Sequence, residues 1–459
     1  MSATIVLFRH DLRLADNPAL EAAHETGPVV PVYIHAPDEE GSWKPGAASR
    51  WWLHQSLRSL DTSLRNIGSR LIIRTGPTLA AIRDVVRETA ATSVFWNRRY
   101  EPAVIERDRL LKSELKKQGL RTESYNASLL FEPWEVETKQ GRPYQVYTPF
   151  WNAVKDRPLP KPSPAPHQLT APRNWPNSFD LAALELEPRI DWAAQMRKQW
   201  TPGEKGAVER LKRFTTVVDD YADGRNRPDY DGTSSLSPHL HLGEISPRTV
   251  WHATVGDSVG VEIYHKELVW REFAYHLLYH FPHTAEQPLR TDFTRFPWRN
   301  DAIALRAWQR GLTGYPMVDA GMRQLWTTGW MHNRVRMVVA SFLVKHLLLS
   351  WKEGARWFWD TLLDADLASN TLGWQWSAGC GADAAPYFRI FNPVAQGEKF
   401  DTNGDYVRRW VPELKNIPNK FIHKPWEYIA ELKNYPRPVV DHSAARARAL
   451  EALATITKS

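Results

Sequence analysis

Residues 328–393 read TGWMHNRVRM (328–337), VVASFLVKHLLLSWKEG (338–354), ARWFWDTLL (355–363), DADLASNTLGWQW (364–376) and, after Ser377 and Ala378, GCGADAAPYFRIFNP (379–393). Apolar residues recur at helical spacing through most of this stretch, so it belongs to a helical unit. Its polar residues read either as an ordinary helix surface or as the lining of a site. Asn333 and Met337 stand four apart and share a face, with Arg334 and Arg336 on either side. Asp364 and Asp366 lead into Asn370, and Trp374 and Trp376 sit two residues apart. Building a core does not require that mixture of amide, thioether, guanidinium, carboxyl and indole.

Working upstream, helical spacing recurs from about residue 204, in EKGAVERLKRFTTVVDDYADGR, VEIYHKELVWREFAYHLLYH, DAIALRAWQRGLT and VDAGMRQLWTTGW. HNRVRMVVASFLVKHLLLSW (332–351) reads as one helix, and residues from about 442 as a short amphipathic tail helix. The beginning of the chain has another texture. β-Branched runs at 4–8, 29–35, 71–74 and 94–96 alternate with helical patterns at 47–66, 78–91 and 102–118. That alternation predicts a doubly wound parallel-sheet α/β domain over residues 1–130. Asp16 or Asn17 caps the helix that follows the first strand, with Pro18 in its first turn. There is no G-x-G-x-x-G after that strand, so no dinucleotide site is expected there. Arg9, His10, Asp11 and residues 97–101 fall at strand carboxyl ends, where such sheets bind ligands; they read equally as polar loop residues. Between the halves, residues 156–176 carry seven prolines, a stiff extended crossing. We divide the chain into 1–130, a Pro-rich linker 131–203, and a helical domain 204–459.

Composition narrows the partners. The net charge of +7 favours a polyanion. Twenty-two tryptophans supply both core volume and stacking surface for flat π systems. The single cysteine, Cys380, leaves no intrachain disulfide and no cysteine-based zinc site. The longest apolar run is interrupted by Arg336, Lys345 and His346, and the N-terminus lacks the apolar region of a secretory signal. A cytoplasmic protein without a membrane span is the expectation.

Two constellations outside the opening stretch, and one within it, carry chemistry. After Tyr221 and Arg225, Thr233, Ser234, Ser235 and Ser237 place four hydroxyls in five residues before a proline-started helix. They suit a phosphate, and they also suit a loop that caps itself. Glu267 and Trp270 share a helix face, which fits a flat heterocycle needing one hydrogen bond and one stacking surface, or a half-buried Glu beside a core Trp. Arg336 is placed for a carboxylate or a phosphate. Asp364 and Asp366 lack a third oxygen ligand at metal spacing, and helix capping or pairing with Arg336 explains them; no metal is expected. No nucleophile-and-base motif appears, so an enzymatic step would be carried by a cofactor.

Taken together, FRHDLRLADNPAL (8–20), GTSSLSPHLHLGEIS (232–246), KELVWREFAYHLL (266–278), TGYPMVDAGMRQLWTTGWMHNRVRM (313–337), DADLASNTLGWQW (364–376) and DAAPYFRIFNPVAQGEKFD (383–401) resemble the DNA photolyase/cryptochrome superfamily over nearly the whole chain. The resemblance implies light-driven repair of cyclobutane pyrimidine dimers in UV-damaged DNA by a monomer holding FAD in its helical domain. By motif match, Tyr221, Thr233, Ser234, Ser235, Leu236, Ser237, Trp330, Asn333, Arg336, Asp364, Ala365, Asp366 and Asn370 fall on flavin-contacting positions. Asn370 is implied to face the flavin N5; plant cryptochromes usually carry Asp there. Glu267, Asn333 and Met337 match the catalytic pocket. Arg225, Trp270, Arg334 and Trp376, with Glu267 and Met337, match its DNA-binding side. Trp374, Trp351 and Trp298 match an electron-hopping chain running outward from the flavin.

The segment after Asn370 reads Thr-Leu-Gly where many class I enzymes have Asn-Gly-Gly, which points to the class III branch, with class I second. That branch commonly carries methenyltetrahydrofolate as antenna. Arg99 stands where deazaflavin binders usually have Asp, so 8-hydroxydeazaflavin is the alternative, or no antenna at all. Two other readings stay open: a cryptochrome-type blue-light photoreceptor without repair, and a DNA-binding flavoprotein without catalysis.

Overall fold

The computed structural model describes residues 2–384, 388–428 and 434–457; Ala385, Pro386 and Tyr387 of the 383–401 motif lie outside the described residues. Five strands, β1 (Thr4–Phe8), β2 (Val29–His35), β3 (Ile72–Thr75), β4 (Ser93–Asn97) and β5 (Arg121–Tyr125), form one parallel sheet in the order β3-β2-β1-β4-β5. Val6 pairs with Pro31 on one side and Phe95 on the other, and β1 is buried along its whole length. This explains the unbroken TIVLF run, because a parallel sheet covered on both faces takes apolar residues at every position. β5 escaped the sequence reading for the opposite reason. Its RTESY is an edge strand with an exposed Arg121 and half-buried residues, so it carries no apolar run.

The helices Pro18–Thr26, Ala47–Asn66, Thr78–Thr89 and Pro102–Lys117 cover the sheet. Asn17 provides the first cap, accepting from Leu20 N at 3.2 Å. Asp16 turns instead to Arg248, 2.9 Å away in the helical half. The proline-rich crossing has no helix or strand over 156–176 and runs along the α/β unit. Ser163 O, Leu169 N and Thr170 O bond to Asp16, Ile67 and Val29 respectively.

The second half is helical, with Val259–His280 as its longest element. The single helix read over 332–351 is a correction. The structure has an α-helix over Asn333–Ser341, a π-helical turn over Phe342–His346, a left-handed Leu348, and a new helix, Trp351–Thr361, capped by Ser350 Oγ. Leu347, Leu348 and Leu349 are all buried, so helical apolar spacing continues across a backbone that has changed direction. The long helix carries on its pocket side Glu267 and Trp270, and packs on Leu367–Ala378, which carries Asn370, Trp374 and Trp376.

A buried polar seam joins the two halves. Glu244, fully buried, accepts from Trp52 Nε1 at 3.0 Å and Gly203 N at 2.7 Å, and bonds Ser56 Oγ and His239 Nδ1. Glu204 accepts from Leu14 N and Ala15 N, both at 2.9 Å, and Arg13 donates to the carbonyls of Gly243 and Ala127. Glu244→Leu leaves two or more buried donors without acceptors. It is expected to lower stability by about 3 kcal/mol or more, read as a fall in Cm at unchanged m in denaturant unfolding.

Candidate functional site

The hydroxyl loop stands at the start of the short Ser237–His241 helix, with Ser235 in the left-handed region. Thr233 Oγ1 is 3.5 Å from Ser235 Oγ, Ser234 Oγ accepts from Leu236 N, and Leu236 is buried as an anchor. Trp330 Nε1 donates to Ser237 Oγ at 3.3 Å, which ties this loop to the turn before the Asn333–Ser341 helix. Tyr221 is buried against Phe214 and Tyr264.

Arg336 and Asp364 pair at 2.7 Å, and Arg336 Nε also donates to Met331 O. Of its alternatives, Arg336 therefore takes the carboxylate. Asp364 Oδ2 is used in this pair, while its Oδ1 is buried without a partner. An unpartnered buried acceptor of this kind calls for a donor from a bound molecule. Ala365 is buried, and Asp366 caps the Leu367–Ala378 helix by accepting from Ser369 N at 2.7 Å. Its other oxygen accepts from Tyr275 OH, a contact that no sequence pattern indicated. One helical turn on, Asn370 Nδ2 donates to Ala355 O at 3.1 Å, which fixes the amide and leaves Oδ1 as acceptor. The hydroxyls, the free carboxyl oxygen and the neutral amide are the polar groups that these elements offer to a bound molecule.

Beside this pocket, Trp270 lies stacked on Tyr147, ring centroids 3.7 Å apart and planes 6° from parallel. Tyr147 begins the Tyr147–Val154 helix, inside the stretch read as linker, and donates its hydroxyl hydrogen to Lys266 O. Sequence reasoning missed it, since a residue over a hundred positions away leaves no periodic trace. Glu267 Oε1 is 2.6 Å from Arg225 Nη2. Burial pushes the Glu267 carboxyl up from its ordinary value, and Arg225, then Arg334, hold it down. Arg334 donates to Asn226 Oδ1 at 2.6 Å, lies 3.9 Å from Met337 Sδ and sits over the Phe400 ring. Asn333 is exposed at the first position of its helix, and Trp376 is half-buried. His332 caps that helix through Arg334 N; burial and then the neighbouring arginines push it down to about 3, so it is neutral.

Trp374 and Trp351 are both buried, and Trp298, half-buried, is the most exposed of the three. Arg299 N donates to Leu348 O at 2.8 Å, which brings the Trp298 segment to the turn before Trp351. Trp374 also has a fully buried indole neighbour that the sequence did not single out, Trp308, at 6.1 Å. At the carboxyl ends of the strands, a cleft is lined by Arg9, His10, Tyr33, Glu40, Arg99 and Arg107 among others. Its charges are already matched: Arg99 forks onto Glu40 at 2.7 and 2.8 Å and onto Glu101, and Arg9 onto Asp108. Asn97 Nδ2 donates to Asp11 Oδ2 at 2.6 Å.

Gly354 is what lets Trp374 lie against the Trp351–Thr361 helix, since a Cβ there would stand 2.0 Å from the indole. Gly354→Val is expected to cost about 3 kcal/mol and to alter the near-ultraviolet dichroism of the tryptophans, checked by thermal unfolding and circular dichroism.

The family model for the FAD binding domain of DNA photolyase matches residues 264–455, and that for DNA photolyase matches residues 4–167. A deoxyribodipyrimidine photo-lyase of Agrobacterium fabrum is 51% identical over 99% of this chain and 98% of its own length. Cryptochrome-1 of Arabidopsis thaliana is 42% identical over 98% of this chain and 70% of its own. Among solved structures, a bacterial class III photolyase from Agrobacterium tumefaciens superposes with a TM-score of 0.96 at 50% identity, covering 100% of this chain and 98% of that one.

Proposed function

The chain belongs to the DNA photolyase/cryptochrome family, and from that premise we propose that it is a deoxyribodipyrimidine photo-lyase of the class III kind, repairing cyclobutane pyrimidine dimers with blue light. The observation that carries this reading is the pocket in which a half-buried Glu267, its carboxyl pushed up by desolvation, stands beside the Trp270–Tyr147 stack, paired with Arg225 and near Arg334. A carboxyl of that kind serves a lesion carbonyl, and a signalling flavoprotein has no need of it. Domain division follows the same reading: residues 1–130 for an antenna, 131–203 as crossing, 204–459 for flavin and DNA.

Tyr221, Thr233, Ser234, Ser235, Leu236, Ser237, Trp330, Asn333, Arg336, Asp364, Ala365, Asp366 and Asn370 are the residues assigned to hold FAD, with Arg336 fixing Asp364 so that its free oxygen meets a donor. When bound and reduced, FAD supplies under light the electron that opens the cyclobutane ring. Asn370 presents an amide there that adds neither charge nor an acidic proton. Trp270 and Trp376 offer apolar faces to the extruded dimer, whose weakened stacking lowers the cost of flipping it out. Glu267 hydrogen-bonds a pyrimidine carbonyl and steadies the negative charge that gathers on it. Asn333 and Met337 border the lesion, and Arg225 and Arg334 meet the strand's phosphates. Trp374, Trp351 and Trp298 form the route by which electrons reach oxidised flavin from the surface.

For the antenna we favour methenyltetrahydrofolate. The support is that Arg99, locked between Glu40 and Glu101, fills the position where a deazaflavin site usually has a carboxylate. A monomer acting in the cytoplasm on DNA completes the reading; among the described residues no helix is long and apolar enough to cross a membrane.

Purified protein is expected to show flavin absorption and, under blue light, to remove the dimer from a duplex oligonucleotide. A protein that photoreduces its flavin while the dimer survives is the photoreceptor instead. Trp374→Phe is expected to slow photoreduction of oxidised flavin by a factor of ten or more, on the order of the loss of one well-placed hop, while chemically reduced enzyme still repairs. Unchanged photoreduction assigns the route to other aromatics, Trp308 first among them.

A further inference from the structure

Two groups assigned to different parts of the bound DNA hold each other in the free protein. Arg225 Nη2 stands 2.6 Å from Glu267 Oε1, and both side chains are only about a quarter exposed. Arg225 closes the short Tyr221–Gly224 helix, while Glu267 rises from Val259–His280, so the pair bridges two elements. The other groups facing this carboxyl are the Tyr221, Tyr264 and Tyr147 rings and the guanidinium of Arg334. Arg334 is engaged by Asn226, and Asp383 faces Tyr147 through the Tyr147 N–H. Arg225 is therefore the direct counter-ion of Glu267.

Resting on the repair reading, we propose that Arg225 is a latch on Glu267. The lesion strand's phosphate draws the guanidinium off the carboxyl, which then takes a proton from water and meets the pyrimidine carbonyl as a hydrogen-bond donor. A guanidinium fork that grips a phosphate gives up its carboxylate partner. A carboxylate left alone in a pocket closed by two indoles and a heterocycle is poorly solvated, and it relieves this by protonation. The protonated form is also the useful one, because a pyrimidine carbonyl offers only acceptors. The proton balance closes: one proton enters from the buffer on lesion binding and leaves when product departs and Arg225 returns. Burial already biases this carboxyl upward, with Arg225 opposing it, so removing Arg225 acts in the required direction. Since the complex holds a proton that the free protein lacks, affinity falls as pH rises, by up to about tenfold per pH unit within the window.

The test is calorimetric titration of the flavin-loaded protein, in the dark, with duplex oligonucleotide carrying one thymine–thymine cyclobutane dimer. Phosphate and Tris buffers at the same pH separate proton uptake from binding heat. Wild type is expected to take up about one proton per lesion near neutral pH. Glu267→Gln is expected to bind without uptake. Arg225→Gln is expected to bind more weakly and without uptake, because its carboxyl is protonated beforehand; a merely structural arginine would weaken binding and leave the uptake in place. Lesion binding by wild type with no proton exchanged overturns the proposal, as does full uptake persisting in Glu267→Gln or an equal uptake with undamaged duplex. A protein that does not distinguish damaged from undamaged duplex at all overturns the repair reading, and the latch with it.

Discussion

The carboxyl of Glu244 is the constraint on which the arrangement of the molecule depends. It has no contact with solvent, and a carboxyl in that position is tolerable only if its oxygens are met by donors. The donors come from three separate pieces of chain: the indole and hydroxyl of the Ala47–Asn66 helix, the backbone at Gly203 where the crossing ends, and His239 in the short helix after the hydroxyl loop. With Arg13 and Glu204 adding bonds of the same kind, the α/β sheet, the crossing and the hydroxyl loop have one mutual arrangement. Apolar packing alone tolerates sliding; a set of directed bonds with no water to replace them does not.

From that seam the pocket is built by two helices at close quarters. Val259–His280 turns Glu267 and Trp270 inward, and Leu367–Ala378 brings Asn370, Trp374 and Trp376 to the same region. Asp366 serves both structure and site, since it caps the second helix and takes the hydroxyl of Tyr275 from the first. Around Glu267 a half-buried carboxyl stands among guanidinium groups, with Arg225 paired to it and Arg334 nearby. His332 is kept neutral by burial beside arginines, so the positive charges around it are guanidinium groups. The buried, matched ion pairs in the strand-end cleft contrast with this, because there every guanidinium already has its carboxylates.

Much of the candidate site was legible because its residues sit in contiguous motifs. Asn333, Arg334, Arg336 and Met337 come from one helical turn or two, and the hydroxyls of residues 233–237 from one loop, so local spacing sufficed to group them. The motif resemblance then tied these groups to one pocket. Residues such as Tyr147, Asn226, Tyr275 and Trp308 were not legible. Each reaches the site from an element whose local pattern is that of ordinary packing. The strand β5 and the break after His346 were missed on similar grounds: an edge strand needs no apolar run, and a π turn preserves apolar spacing while the helix axis changes.

By itself, the sequence determined what depends on neighbours in the chain. That includes the strand and helix alternation of the first half, the caps at Asn17 and Asp366, the extended proline-rich crossing, and the faces shared by Glu267 with Trp270 and by Asn333 with Met337. These follow from backbone geometry and the periods of helix and strand, which are local physics. Tertiary structure alone decided which carboxyl meets which guanidinium, with Arg336 going to Asp364, Arg225 to Glu267 and Arg99 to Glu40. It also decided which indoles lie close together and which acceptor, Asp364 Oδ1, is left buried and open. Such choices turn on distances of a few ångström between residues far apart in the chain, and no periodic pattern encodes them.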